Sequence, residues 1–337
     1  MSLGNGNGNG RVPLEVISLE TTPREVDPRK LPKPPKPYRS GRSLAIALVL
    51  FAVTIISTLA AGVDFAQAYA RGQVPSFDDF FQVYFLALRN PSVLLAGLPF
   101  AFTLMGILLA HELGHFFTCR YYGMTASYPY FIPFPSLFGT MGAFIRIRSA
   151  ITNRKALFDV GLSGPVVGFL FTVPALAVAI AHSRIVPGVA AVSNPQIAFG
   201  EPLLMRMLMA LLRPSVASQN LLLHPVGRAA WIGLFVTALN LLPAGQLDGG
   251  HILYALAPGI HKRTTFIVVG VLALLSIGWI TWIVWAVLLL AIGYRHPPLI
   301  DRWEPVDRKR YVWAAVGLAI FVLSFMPVPI IVPKPWW

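Results

Sequence analysis

A chain of 337 residues that is 55% hydrophobic and only 12% charged lies well away from soluble proteins, about 25% of whose residues are charged, and belongs among polytopic membrane proteins. In that setting the formal net charge of +13 reads as basic loops drawn to anionic lipid, which sets nucleic-acid binding aside. The single cysteine, Cys119, excludes an internal disulfide, and no cleavable signal peptide is evident, because the first apolar run begins only near Leu44.

Residues 1–43 open on GNGNGNG and close on PRKLPKPPKPYRSGR. Glycine- and proline-rich tracts cannot bury a core, so this segment is expected to be a disordered basic tail. Arg29, Lys30, Lys33, Lys36, Arg39 and Arg42 abut the first apolar run, which by the positive-inside rule puts the N-terminus in the cytoplasm. The first span is Leu44–Val63, followed by an extracytoplasmic loop with Asp64, Asp78 and Asp79. The second, Ser92–Thr118, returns inward with Pro99 as a candidate kink. A basic, cytoplasmic loop spans 120–155. Its stretch Ala143–Ser149 alternates apolar and basic residues, a strand signal, with Gly139 and Gly142 at turns or a bulge.

The third span, Ala156–Ala181, carries Gly164 and Gly168 four apart, which bares one face for another helix. Asp159 is read as its N-terminal cap. Residues 182–227 return outside, with a short interfacial helix at Pro202–Leu212. The fourth span begins near Arg228 and is interrupted by PAGQLDGG, the pattern of a broken membrane helix. Residues 264–293 are long for one span and short for two, and flanking charge favours a hairpin turning near Gly278. Tyr311–Val332 is the last span. The fold class is therefore an all-α polytopic membrane protein of about six to seven transmembrane helices, with a small membrane-associated β-hairpin or strand near the active site. Its segments are the tail 1–43, the first helix and loop 44–91, a core 92–260 and C-terminal helices 261–337.

The chemistry is concentrated in HELGH. His111 and His115, at i and i+4, share one helix face and can hold a zinc ion, with Glu112 beside them to act on water. Three polar residues merely packing inside a bundle is the bland reading, but ionisable groups inside a membrane are expensive and by default functional. A catalytic zinc takes three protein ligands. Asp248 is the one carboxylate after the third span in an apolar context, and His251 competes with it for the third place; Asp248 also suits a helix N-cap. Cys119, one turn past His115, reads as a small core residue. His182, His224, His261 and His296 suggest no second metal.

HELGH, then SGPVVG, then LNLLPAGQLDGG, in that order over residues 90–260, resembles the site-2 protease family of intramembrane zinc metalloproteases. The resemblance implies a Zn2+ cofactor held by His111, His115 and Asp248, with Glu112 as catalytic base and Asn240 assisting at the substrate carbonyl. It also likens GTMGAFIRIRS to a membrane-associated β-segment that pairs with unwound substrate, which makes Gly142, Phe144 and Arg146 candidate substrate contacts. The implied partners are the bilayer and a transmembrane protein substrate, cut within or near its span during regulated intramembrane proteolysis. No PDZ domain is evident, and the implied setting is a bacterial-type inner membrane. The alternatives are a metal-ion transporter, which would not need Glu112 and would favour successive sites, or an inactive zinc-binding scaffold.

Overall fold

The computed structural model describes residues 40–75, 80–187, 198–293, 299, 301 and 304–331. The expected disordered tail lies outside these residues up to residue 39, as do Asp78, Asp79 and His296. The first apolar run forms α1 (Ser40–Arg71), longer than the expected span, so Asp64 is a buried helix residue and not part of a loop. A short helix α2 (Phe80–Arg89) follows. The second run divides into a 3₁₀ turn at Pro91–Gly97 and α3 (Leu98–Tyr121), with Pro99 in the first turn. A proline there removes an N–H that has no helical partner anyway. Among the described residues, four helices are long and apolar enough to cross a membrane: 41–71, 91–121, 154–182 and 258–275.

The loop after α3 forms a hairpin of β1 (Tyr130–Pro133) and β2 (Thr140–Phe144). The strand thus begins earlier than the alternation suggested; beyond Phe144 the chain keeps only an isolated bridge, Ala126 to Ile147. The proline-rich half of the loop supplies β1, and the register slips between Phe131 and Pro133, where Pro133 has no N–H to offer the ladder. Gly139 turns the hairpin at φ +75° and accepts a bond from Ser57 Oγ on α1 at 2.6 Å. Phe51 of α1 meets Phe131 edge-on, so the hairpin is fastened along α1.

Helix α4 (Arg154–His182) is capped by Asn153, whose side chain accepts from the Ala156 N–H. Asp159 is therefore not the cap. Its carboxylate takes Arg310 and the Tyr122 hydroxyl instead, tying the ends of α3 and α4 to α10 (Arg308–Ser324). Burial, with Asp159 beside it, pushes the Tyr122 phenol up to about 12, so it stays a neutral donor at pH 7. Replacing Arg310 by Met leaves a half-buried Asp159 carboxylate without its cation, and the loss of charged hydrogen bonds is expected to destabilise by about 1.5–3 kcal/mol. A thermal melt of the purified variant would read this as a lowered midpoint; an unchanged midpoint would count against the clasp.

The connection after α4 carries the expected short helix as α5 (Leu203–Leu212). Helix α6 (Pro225–Asn240) is buried along most of its length, with Trp231 wholly inside. It stops at Asn240 and the chain resumes as α7 (Asp248–Leu256), the interruption predicted from PAGQLDGG. Helices α8 (Pro258–Leu275) and α9 (Thr281–Ile292) are joined by a turn containing Gly278, where the apolar run was expected to fold back.

Candidate metal centre

Helix α3 brings its histidines to one face, and α4 is shaped to receive them. A Cβ added at Gly164 would fall 2.1 Å from His115 Nε2, and one at Gly168 would stand 3.2 Å from His111 Cβ. Gly114 of α3 returns the fit, since its Cβ would meet the Ser163 carbonyl oxygen at 2.7 Å. The small residues expected to admit another helix thus admit the two imidazoles themselves. The Val160 carbonyl of α4 lies 2.7 Å from His115 Nδ1. A carbonyl only accepts, so Nδ1 carries the proton and Nε2 presents its lone pair inward.

The third donor comes from the restart of the broken helix. Asp248 is the first residue of α7, and the cap position belongs to Leu247, with no side-chain bond. The Asp248 carboxylate faces the histidines instead: Oδ2 is 3.3 Å from each Nε2, and the two Nε2 atoms are 3.1 Å apart. A tetrahedral ion bonded at about 2.0–2.1 Å has edges between its ligands of about 3.3–3.4 Å, so this near-equilateral triangle fits one ion and leaves a fourth position open. Two imidazole nitrogens and one carboxylate oxygen also suit a borderline transition metal. His111, His115 and Asp248 are the one such group among the described residues. His251 lies in the same cleft but outside the triangle, and Cys119 is buried in a separate apolar cluster.

The triangle opens onto a cleft of about 200 Å³ lined by Glu112, Asn240, Gln246 and the stretch Ala143–Ile145 with Ile147. Glu112 is 5% exposed and lines the cleft beside the two histidines. Asn240 Nδ2 stands 3.2 Å from His111 Nε2. Of the candidate substrate contacts, Phe144 lines the cleft and Gly142 and Arg146 do not. Side chains on extended backbone alternate between faces; here the odd-numbered set Ala143, Ile145 and Ile147 faces the cleft together with Phe144. The alternation was visible in the sequence, but which phase faced inward depended on the hairpin register. Gln246 and Ile145 were missed as cleft residues for the same reason: only the folded chain carries them there.

The fold and site define a class: a helical membrane protein with a buried three-ligand metal centre and a carboxylate beside it. The sequence profile described as Peptidase family M50 matches residues 99–277, and the chain belongs to that family, the site-2 protease family. Among similar proteins, "Probable zinc metalloprotease EGY1, chloroplastic" of Arabidopsis thaliana is 31% identical over 306 residues, covering 84% of this chain and 53% of its own length. "Probable zinc metalloprotease EGY2, chloroplastic" of Oryza sativa subsp. indica is 27% identical, covering 70% of this chain and 43% of its own. The chain spans about half the length of the curated relatives it matches.

Proposed function

We propose that this chain is an intramembrane zinc metalloprotease that hydrolyses peptide bonds within or near the membrane-spanning segment of a protein substrate. The observation that carries this reading is the convergence of His111, His115, Asp248 and Glu112 in one cleft, with the histidines on a helix able to cross the membrane. The names of the relatives agree with it. Transport is not favoured, since a single ligand group is found among the described residues and a carrier has no use for Glu112.

In this reading His111, His115 and Asp248 hold zinc, which when bound supplies a Lewis acid that polarises the scissile carbonyl and acidifies water. Glu112 accepts the proton of the attacking water and delivers it to the amine nitrogen of the leaving peptide. Asn240 Nδ2 donates to the oxygen on which negative charge develops. The substrate helix must unwind to expose its carbonyl. One edge of β2 is taken by β1, and the stretch Ala143–Ile147 along the cleft would pair with the unwound backbone as an added strand.

The membrane arrangement proposed with it has six to seven crossings: α1, α3, α4, the pair α6–α7, the hairpin α8–α9 as one or two, and α10. Residues 92–260 form the catalytic core, 44–91 and 261–337 flank it, and 1–43 is the basic tail. Arg120, Arg154, Lys155 and Arg310 mark one end of the bundle, and by the positive-inside rule that end and the N-terminus face the cytoplasm. A bacterial-type inner membrane is the setting expected from the sequence, whereas the relatives' names place them in chloroplasts.

Reconstitution of the chain in liposomes with a panel of single-span substrates tests the activity. Cleavage is expected, chelation is expected to abolish it, and zinc is expected to restore it. Cleavage that survives complete removal of metal would defeat the proposal.

A further inference from the structure

Gly245 lies inside the loop 241–247 that joins the two halves of the broken helix, with Asn240 before the loop and Asp248 after it. Its backbone is left-handed, at φ +57°, and both of its main-chain polar groups are held from α8. The Gly245 N–H donates to Thr265 Oγ1 at 3.1 Å. The Thr265 hydroxyl donates to the His261 carbonyl at 3.0 Å. His261 Nε2 stands 3.0 Å from the Gly245 carbonyl oxygen, and since that oxygen can only accept, Nε2 carries the proton. Three hydrogen bonds therefore close a ring through Gly245, Thr265 and His261.

His261 and Thr265 are one turn apart and are the buried polar side chains of α8, at 2% and 0% exposure. In a helix able to cross a membrane such groups call for a reason, because hydrocarbon offers backbone polar groups no alternative partner. Their reach is not to the cleft but to the loop beneath it. That loop is pressed onto the first turn of α7. A Cβ at Gly249 would meet the Leu241 carbonyl oxygen at 2.1 Å, and one at Gly250 would meet the Gly245 carbonyl oxygen at 2.5 Å. A loop seated this closely cannot shift without moving the turn that carries Asp248.

We propose that His261 and Thr265 are positioning residues for the metal centre: by locking Gly245 they set the placement of Asp248, and with it that of Asn240, against His111 and His115. The inference rests on the metal centre proposed above. It assigns to α8, which supplies no ligand, control over whether the triangle has the dimensions of a zinc site. Ligand distances tolerate only about ±0.2 Å, so a relaxed loop weakens metal binding before it unfolds anything.

The test is the affinity of the purified full-length apoprotein for Zn2+, measured by chelator competition at fixed pH, together with the visible spectrum of the Co2+ form. Thr265→Val keeps the shape and removes the hydroxyl. It and His261→Ala are expected to lose about 10–100-fold in affinity, the range for groups that orient ligands, and to alter the Co2+ bands. His261→Gln, whose amide nitrogen can reach the same carbonyl, is expected to recover to within about threefold of wild type. Thr264→Val is the control, because the exposed Thr264 hydroxyl bonds only Ile260 of its own helix, at 3.2 Å. Each variant must elute as a single species; should His261→Ala not, Thr265→Val and His261→Gln decide against wild type. Wild-type affinity and spectrum in Thr265→Val, or a Gln variant with weakened binding no better than Ala, would overturn the clamp. A wild-type chain that binds no zinc would instead overturn the metal centre itself.

Discussion

Glu112→Gln is expected to lower the turnover of a reconstituted transmembrane substrate by about 10²–10⁴-fold, the span attributable to general acid–base catalysis, while the chain still binds one zinc ion. The reasoning is geometric. Glu112 is buried beside the triangle without belonging to it. An amide of the same size fills the same buried place, so the cleft keeps its shape. What it cannot do is take a proton from water and hand it to a leaving amine. The measurement is a single-turnover cleavage rate set beside zinc per chain by elemental analysis. Loss of zinc along with activity would mean that Glu112 is part of the metal shell; unchanged cleavage would remove it from the mechanism.

Gly164→Ala is expected to abolish zinc binding through one methyl group far from any ligand in sequence. The added Cβ would sit 2.1 Å from His115 Nε2, with the ring's Cε1 and Cδ2 at 2.5 and 2.6 Å. Relief requires either that α3 and α4 part or that His115 turn its ring out of the triangle and lose the Val160 bond. Overpacking of this kind typically costs 1–3 kcal/mol, occasionally more, and either response breaks the ligand spacing. A graded series makes the test sharper. Gly168→Ala meets His111 at 3.2 Å and should weaken binding less, whereas Gly106→Ala, on α3 with nothing within 4 Å, should leave it untouched. Zinc affinities that ignored this order would show that the α3–α4 approach does not govern the site.

These two experiments differ in how far their residues could be read in advance. The i, i+4 spacing of HELGH follows from helix geometry alone, and an apolar run before it already places it in a membrane helix. The break in the fourth span is written in a proline and three glycines, and the structure has it between Asn240 and Asp248. Asp159 is the opposite case. An aspartate near a helix start suggests a cap, yet Asn153 takes that role and Asp159 serves Arg310, 151 residues away. No local pattern announces a partner at that distance.

Helical periodicity, apolar run length and backbone-breaking residues act over a few neighbouring positions, so the long apolar helices, the two histidines with their glutamate on one face and an aspartate on a broken span were legible in the chain alone, whereas α2 lay inside a stretch read as a loop. The resemblance implied Asp248 over His251, but it took the packed helices to put Asp248 in the triangle and His251 outside it, to turn the odd-numbered side chains of 143–147 to the cleft together with Phe144, and to bring His261 and Thr265 of α8 onto the loop between Asn240 and Asp248. The physical reason is that a metal site is a matter of tenths of an ångström between atoms from separate helices. Those distances are set by which glycine lies under which ring and which carbonyl meets which N–H, quantities that exist only once the helices have packed.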